Sequence, residues 1–174
     1  IGFSGLKEFV NYYATSKVLG DNYSEKIIKK IIEHSEEVAK YALKLSRTLK
    51  MKKTFENIYI GAIIHDIGKV IINSFSPGII RRIFKIKNEL ETGDIDLEEM
   101  VLGLSHSEIG ARVAKKWNFP KNLVSVIRYH HTPHLIPKEE KDLYEMIAVI
   151  YLANTIYYYI RDEFPFEKID KKVL

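Results

Sequence analysis

Apolar and polar residues follow one another along the chain at the spacing of helices. Across residues 24–50, apolar positions recur every three or four residues, which is typical of a helix with one buried face. No stretch shows the strict alternation of a β-strand. The sequence therefore predicts an all-α fold, a single-domain helical bundle. Further helices are predicted over residues 56–67, 77–90, 105–117, 121–131 and 142–161.

Local signals indicate where these helices begin and end. Gly68 is predicted to end the helix of residues 56–67, because glycine tolerates the left-handed conformation that closes many helices. Two residue pairs match the capping box, in which a short polar side chain and a glutamate three residues later close the start of a helix. These pairs are Asp96 with Glu99 and Ser105 with Glu108.

Composition adds limits on function. The chain of 174 residues has 27 Lys and Arg against 23 Asp and Glu, and the basic residues are scattered, so we expect no DNA site. It has no cysteine and no apolar run suited to crossing a membrane, so we expect a cytoplasmic protein without membrane contact. We expect residues 1–20 to form an N-terminal helix, a remnant of a larger region, and residues 21–174 to form the main domain.

The six histidines of the chain fall mainly on inward helix faces. A buried imidazole needs hydrogen-bond partners, and each unmet need costs roughly 1–3 kcal/mol. One inward histidine is usually a satisfied core residue, but five of them beside a carboxylate indicate a shared cation. Imidazole and carboxylate together suit divalent Fe, Mn, Ni, Co or Zn. The predicted ligands, drawn from separate helices, are His34, His65, Asp66, His106, His130 and His131.

Further polar residues complete this prediction. Asp66 can bridge two metals about 3.5–4 Å apart, an arrangement that stabilises a displacement at phosphorus. Lys69 follows about one turn later, where it either neutralises a phosphate oxygen or lies at the surface near a helix end. Asn154 interrupts an apolar stripe of the last predicted helix, and His134 lies in a proline-bounded loop that we expect outside the site.

Three segments together resemble a known family. They are HSEEVAKYALKLS from His34, IGAIIHDIGKVII around His65, and GLSHSEIGARVAKKWNFPKNLVSVIRYHHTP over residues 103–133. In this order they resemble the HD superfamily of metal-dependent phosphohydrolases, and most of all its HDOD branch of bacterial signalling domains. The resemblance runs over residues 31–156. The HD-GYP phosphodiesterases, which cleave cyclic dinucleotides, are also similar, although their GYP motif is missing after His131.

The resemblance implies roles for individual residues. Lys69 matches the lysine thought to aid phosphate chemistry in HD-GYP enzymes. Asn154 aligns with the last metal-binding aspartate of the family, and its amide oxygen can bind a metal but carries no charge. The remaining matches fall into two ligand sets that share one carboxylate. They are His34, His65 and Asp66 for one metal, and Asp66, His106, His130 and His131 for a second.

Three functions remain open on the sequence. The first, which we favour slightly, is a bacterial signal-transduction domain that binds one or two divalent metals and acts on another signalling domain or protein. The second is a metal-dependent phosphohydrolase or cyclic-nucleotide phosphodiesterase. It would act on a nucleotide or another phosphorylated small molecule, with Asp66 and Lys69 as catalytic residues. The third is a helical bundle whose histidines are only structural.

Overall fold

The computed structural model describes residues 22–51, 55–75, 78–79, 82–83, 85–86, 94–137 and 139–161. Within these ranges the regular structure is helical and no strand is present, which confirms the predicted all-α fold. The predicted N-terminal helix of residues 1–20 lies outside the described residues. None of the helices in the described ranges is long and apolar enough to cross a bilayer.

The predicted helices are present where the structure describes them, but no helix was predicted over Ile67–Phe75, and the predicted helix of residues 56–67 already ends at Ile64. Residues 78–79, 82–83 and 85–86 are helical as well. In chain order the other elements are α1 (Asn22–Thr48), α2 (Phe55–Ile64), α3 (Ile67–Phe75), α4 (Asp94–Leu102), α5 (His106–Lys116), α6 (Lys121–Tyr129), a 3-10 helix (Pro133–Leu135) and α7 (Lys141–Ile160).

The main apolar core lies where α1, α2 and α7 pack against one another. Residues 146–151 of α7 are all buried, so this helix is surrounded by the others over almost two turns. Val38 and Ala42 of α1 and Ile58 and Ala62 of α2 complete the cluster and are fully buried. Removal of this apolar surface from water is the main favourable contribution to folding.

A second cluster joins α3, α5 and α6 through Ile67, Ala111 and Ile127. The turn of residues 65–66 connects α2, which belongs to the first cluster, with α3, which contributes to the second. Both clusters therefore hold this turn in place.

Gly68 does not end a helix, so that prediction was wrong. It lies in the first turn of α3 and does not have a positive φ. A Cβ on Gly68 would lie 1.8 Å from the carbonyl oxygen of His106, and a Cβ on Gly110 would lie 3.0 Å from the Gly68 nitrogen. Glycine is required here because α3 and α5 are in backbone contact. That contact brings the start of α5 against the turn of residues 65–66.

The two predicted capping boxes have different outcomes. Ser105 caps α5, and its hydroxyl accepts a hydrogen bond from the backbone N–H of Glu108 at 3.4 Å. Asp96 and Glu99 lie inside α4, because that helix already begins at Asp94. The second pair is therefore not a capping box.

We predict that Gly68→Ala destabilises the protein by more than about 2 kcal/mol, because the added methyl group overlaps a backbone oxygen that cannot move without shifting α5. The matched control is Gly78→Ala, a helical and exposed position where a Cβ meets nothing within 4 Å. The control should be neutral or stabilising by up to about 1 kcal/mol. Urea denaturation measures both, and equal stabilities for the two variants would contradict the close helix contact.

Candidate metal centre

His65 and Asp66 form the turn between α2 and α3 and do not continue either helix. Both are buried, and the carboxylate of Asp66 lies at the centre of a ring of imidazoles. The turn gives the two side chains freedom to point into the space between helices, which a continuous helix would restrict.

The other histidines reach Asp66 from three further places in the fold. His34 projects from the middle of α1, and His106 is the first residue of α5. His130 and His131 directly follow the last residue of α6. Residues that are far apart in the sequence thus meet around one carboxylate.

One oxygen of Asp66, Oδ1, faces the histidines from α5 and α6. The Nε2 atoms of His106 and His130 lie 3.2 and 3.5 Å from it. The same two Nε2 atoms are 3.4 Å apart, and the Nε2 of His131 lies 3.1 Å from that of His106. Ligand atoms about 2.0–2.1 Å from a tetrahedral metal lie roughly 3.3 Å from one another. The four separations given above are close to this value, and all four ligand atoms lie within 4.8 Å of one another, so the group could hold one metal ion.

The other oxygen, Oδ2, faces α1, α2 and α3. The Nε2 atoms of His34 and His65 each lie 3.5 Å from it. The Nζ of Lys69 is closer, at 2.8 Å, and donates a hydrogen bond to it. Asp66 therefore offers one oxygen to each of two ligand groups, and the lysine shares the second oxygen.

The outer nitrogens of three imidazoles are held by hydrogen bonds. His65 and His130 each place Nδ1 against a backbone carbonyl, those of Ala62 at 2.7 Å and Ile127 at 2.8 Å. When Nδ1–H donates to such a carbonyl, the lone pair of Nε2 is available towards the centre. Histidines that bind metals usually have an outer partner of this kind, which fixes the ring and its tautomer.

Glu98 of α4 is the outer partner of His106, and sequence reasoning did not select it. Its Oε2 accepts hydrogen bonds from both the backbone N–H and the Nδ1–H of His106, each at 2.6 Å. The side chain is buried, with 5% of the residue exposed. In the sequence, Glu98 is one of two consecutive glutamates that follow Leu97, and nothing there distinguishes it from Glu99.

Several buried polar atoms of the centre have no hydrogen-bond partner among the described residues. They include Nε2 of His34 and His65 and Oδ1 of Asp66. Each such atom costs about 1–3 kcal/mol when nothing satisfies it. A divalent cation between these atoms would satisfy them together, because all of them are electron-pair donors. The residues therefore fit a divalent transition metal, which the sequence also suggested.

Asn154 lies on the face of α7 that contacts the centre. One turn earlier, Ile150 contacts Gly61, and one turn later, Tyr157 stacks edge-on against the ring of His34 with centroids 4.4 Å apart. The side chain of Asn154 is buried, and its Oδ1 has no hydrogen-bond partner in the described part of the chain. His134 is exposed in the 3-10 helix, in agreement with its expected place outside the centre.

Burial makes most of these imidazoles poor bases. It lowers the pKa of His34 to about 3 and that of His65 to about 4, although the Asp66 carboxylate acts in the opposite direction. Burial also lowers the pKa of His130, and it lowers the pKa of His131 well below the usual value. These four side chains are therefore neutral near pH 7, the form that binds a metal.

At His106 and Asp66, charged and hydrogen-bonding neighbours outweigh the effect of burial on the pKa. Burial would lower the pKa of His106, but the facing carboxylates of Asp66 and Glu98 raise it. Burial would raise the pKa of Asp66, but the Lys69 ammonium and the surrounding imidazoles hold it well below its usual value. Asp66 is thus ionised, and His106 holds a proton more readily than the other imidazoles of the centre.

Comparison with known sequences agrees with this geometry. The profile of the HDOD domain family matches residues 1–133, which include all the histidines of the centre. The chain belongs to the HDOD domain family. The match ends before α7, so Asn154 of this HDOD domain lies outside it.

An uncharacterized protein of Treponema pallidum (strain Nichols) is 26% identical to the HDOD domain over 174 residues. The alignment covers 100% of this chain and 33% of that protein, so the chain spans about a third of the length of its relative.

Two solved structures share the fold of this HDOD domain. The first is an HDOD domain protein of unknown function from Geobacter sulfurreducens, with a TM-score of 0.72 and 23% identity over 84% of this chain and 49% of that chain. The second is a candidate phosphohydrolase from Shewanella amazonensis SB2B, with a TM-score of 0.63 and 22% identity over 83% of this chain and 51% of that chain. At these identities the similarity shows the fold alone.

We predict that Glu98→Gln weakens metal binding by the HDOD domain about 10- to 100-fold, because an amide cannot support the His106 ring as a carboxylate does. Glu99→Gln is the matched control, since Glu99 is the next residue of α4 and is exposed. Competition with a chromogenic chelator measures both affinities. Unchanged binding in Glu98→Gln would show that the hydrogen bond does not support a metal ligand.

We also predict that the stability of the chelator-treated HDOD domain falls as the pH decreases from 7 to 5. His34 and His65 have folded pKa values of about 3 and about 4, below the unfolded value of 6.5. Between about pH 4 and 6.5 the unfolded chain therefore binds more protons at these two residues than the folded protein does. The stability of the folded state that these residues contribute above pH 6.5 is lost as the pH falls through this range. His106, whose pKa is raised, contributes in the opposite direction.

The expected loss is roughly 2 kcal/mol for each of these two imidazoles at pH 5, which lowers the Tm by at least about 5 °C. Thermal unfolding followed by circular dichroism measures it. His34→Gln should reduce the slope, whereas His134→Gln, which changes an exposed residue, should leave it unchanged. A Tm that does not vary with pH would contradict the assigned burial.

Proposed function

We propose that this HDOD domain binds divalent metal around Asp66 and uses it to bind and hydrolyse a phosphorylated small molecule such as a nucleotide. One observation carries the proposal. The two oxygens of Asp66 face different histidine groups, Oδ1 towards His106 and His130 and Oδ2 towards His34 and His65. A carboxylate that is shared in this way is the arrangement expected for a pair of metals acting on one phosphate.

The residues of the centre would divide the work as follows. Asp66 bridges the two ligand groups, and its low pKa keeps both oxygens available as ligands. The neutral imidazoles bind without bringing further charge. Lys69 supplies a positive charge that can neutralise a phosphate oxygen as negative charge develops. When bound, divalent metals polarise phosphoryl oxygens and lower the pKa of water.

Access favours a small ligand. The centre is enclosed on most sides, since His65, His106 and His130 have no exposed surface. Lys69 retains 17% of its side-chain exposure and His131 is half-buried, so the centre reaches solvent beside these two residues. This limited exposure favours a small phosphorylated ligand over an extended polymer. One solved structure with the same fold is that of a candidate phosphohydrolase.

A second candidate is the signalling role, in which the metal centre stabilises one state of the domain and a partner reads that state. Asn154 favours it, because an uncharged amide at the α7 position weakens the His34–His65 group. The chain also spans only a third of its Treponema pallidum relative, so other regions are available as partners in that longer protein. Catalysis is not required for this role.

One experiment separates the two candidates. Protein purified without chelator should contain Fe, Mn, Ni, Co or Zn, as measured by mass spectrometry, and should hydrolyse nucleotides or cyclic dinucleotides. Asp66→Asn should lower both metal content and turnover by more than about 100-fold, because it removes the shared ligand. Asp142→Asn, on the exposed start of α7, is the control for loss of one negative charge.

Metal with turnover that depends on Asp66 supports the phosphohydrolase. Metal without turnover supports the signalling role. A protein that binds none of these metals above about pH 7, where most of its buried imidazoles are neutral, would contradict both candidates.

A further inference from the structure

The ammonium of Lys69 and the two histidine groups are not arranged symmetrically around Asp66. The Nζ of Lys69 lies 2.8 Å from Oδ2, the oxygen that His34 and His65 also face at 3.5 Å. Lys69 has its hydrogen bond to Oδ2, whereas Oδ1 faces His106 and His130. The hydrogen bond of the lysine is therefore on the oxygen that the His34–His65 group faces.

We propose that Lys69 is an internal cation that competes with metal for Oδ2 of Asp66, so that the two ligand groups load in a fixed order. In this order the group of Asp66 with His106, His130 and His131 takes metal first. The His34–His65 group takes metal only when the ammonium leaves Oδ2. The inference rests on the proposed metal binding, and it adds the order of loading and its control by a single side chain.

Charge is the first reason for the competition. An ammonium already neutralises the buried Asp66 carboxylate, which has 2% of its surface exposed. A divalent cation bound to the same oxygen would lie close to that ammonium, where like charges repel strongly because little water screens them. One of the two cations must therefore move away.

Unequal support of the histidines is the second reason. In the first group, His106 and His130 have their outer nitrogens fixed by Glu98 and by the Ile127 carbonyl. Both ring nitrogens of His34 are buried without a hydrogen-bond partner in the described part of the chain. Its ring is therefore less well oriented for a metal, and a group with such a ligand binds more weakly than a preorganised one.

The competition also links the second metal to the substrate. Lys69 is partly exposed, so an ammonium that leaves Oδ2 moves towards the opening where a phosphate would enter. A phosphate that binds this ammonium removes it from Asp66 and favours the second metal. Coupling of this kind is reciprocal, so the second metal must also strengthen phosphate binding.

The test is a metal titration of the full chain after treatment with chelator. Titration with Co²⁺ is followed by calorimetry and by the absorption spectrum of the bound ion. The wild-type protein should bind one equivalent tightly and a second at least about 10-fold more weakly. Lys69→Met, which keeps the length but removes the charge, should bind both equivalents within about threefold of each other.

Two variants serve as controls. Lys69→Arg keeps a positive charge at this position and should retain the unequal binding. Lys29→Met removes an exposed lysine of α1 that pairs with Glu33 at 3.8 Å, and it should bind as the wild type does. Equal stepwise affinities in the wild type, or unequal affinities that persist in Lys69→Met, would overturn the competition while leaving metal binding intact.

A second measurement uses the wild-type protein alone, in case Lys69→Met fails to fold. Inorganic phosphate at low millimolar concentration should strengthen binding of the second Co²⁺ by at least about fivefold and leave the first unchanged. No effect of phosphate on the second equivalent would overturn the proposal. Absence of any Co²⁺ binding would instead contradict the proposed function on which it rests.

Discussion

The buried carboxylate of Asp66 is the constraint on which the rest of the centre depends. An ionised carboxylate is stable inside a protein only when positive or hydrogen-donating groups surround it. The fold supplies Lys69 on one oxygen and imidazoles on both. Because burial keeps most of these imidazoles neutral, they do not neutralise the carboxylate by themselves. The same arrangement that stabilises Asp66 therefore produces a set of unused electron pairs directed at one place.

Positioning of that carboxylate depends on two features of the backbone. The turn of residues 65–66 interrupts the apolar run of α2 and α3, so His65 and Asp66 point between helices. The contact of Gly68 with the carbonyl of His106 then brings α5 to the same point. The apolar clusters on either side of the turn supply the stability, and the glycine allows the approach.

The sequence predicted most of the helices and the inward placement of the histidines because both leave a periodic signal. The stripe of α1 places His34 on its buried face, and the Ser105–Glu108 pair marks the start of α5. Gly68 was misread, since its reason lies in a contact with α5 that local sequence does not record. Glu98 was missed for the same reason: its partner His106 is on another helix, and no spacing within α4 reveals it.

The backbone contact at Gly68 also means that the parts of the centre are constrained to different degrees. With no side chain between them, α3 and α5 are in backbone contact, which constrains the separation of the backbones that carry Asp66 and His106. His34 approaches from α1 with neither ring nitrogen anchored by a hydrogen bond to the described residues. We therefore expect His34 of α1 to adjust most readily to ions of different radius. The side of the centre formed by α3 and α5 is thus more constrained than the side formed by His34 of α1.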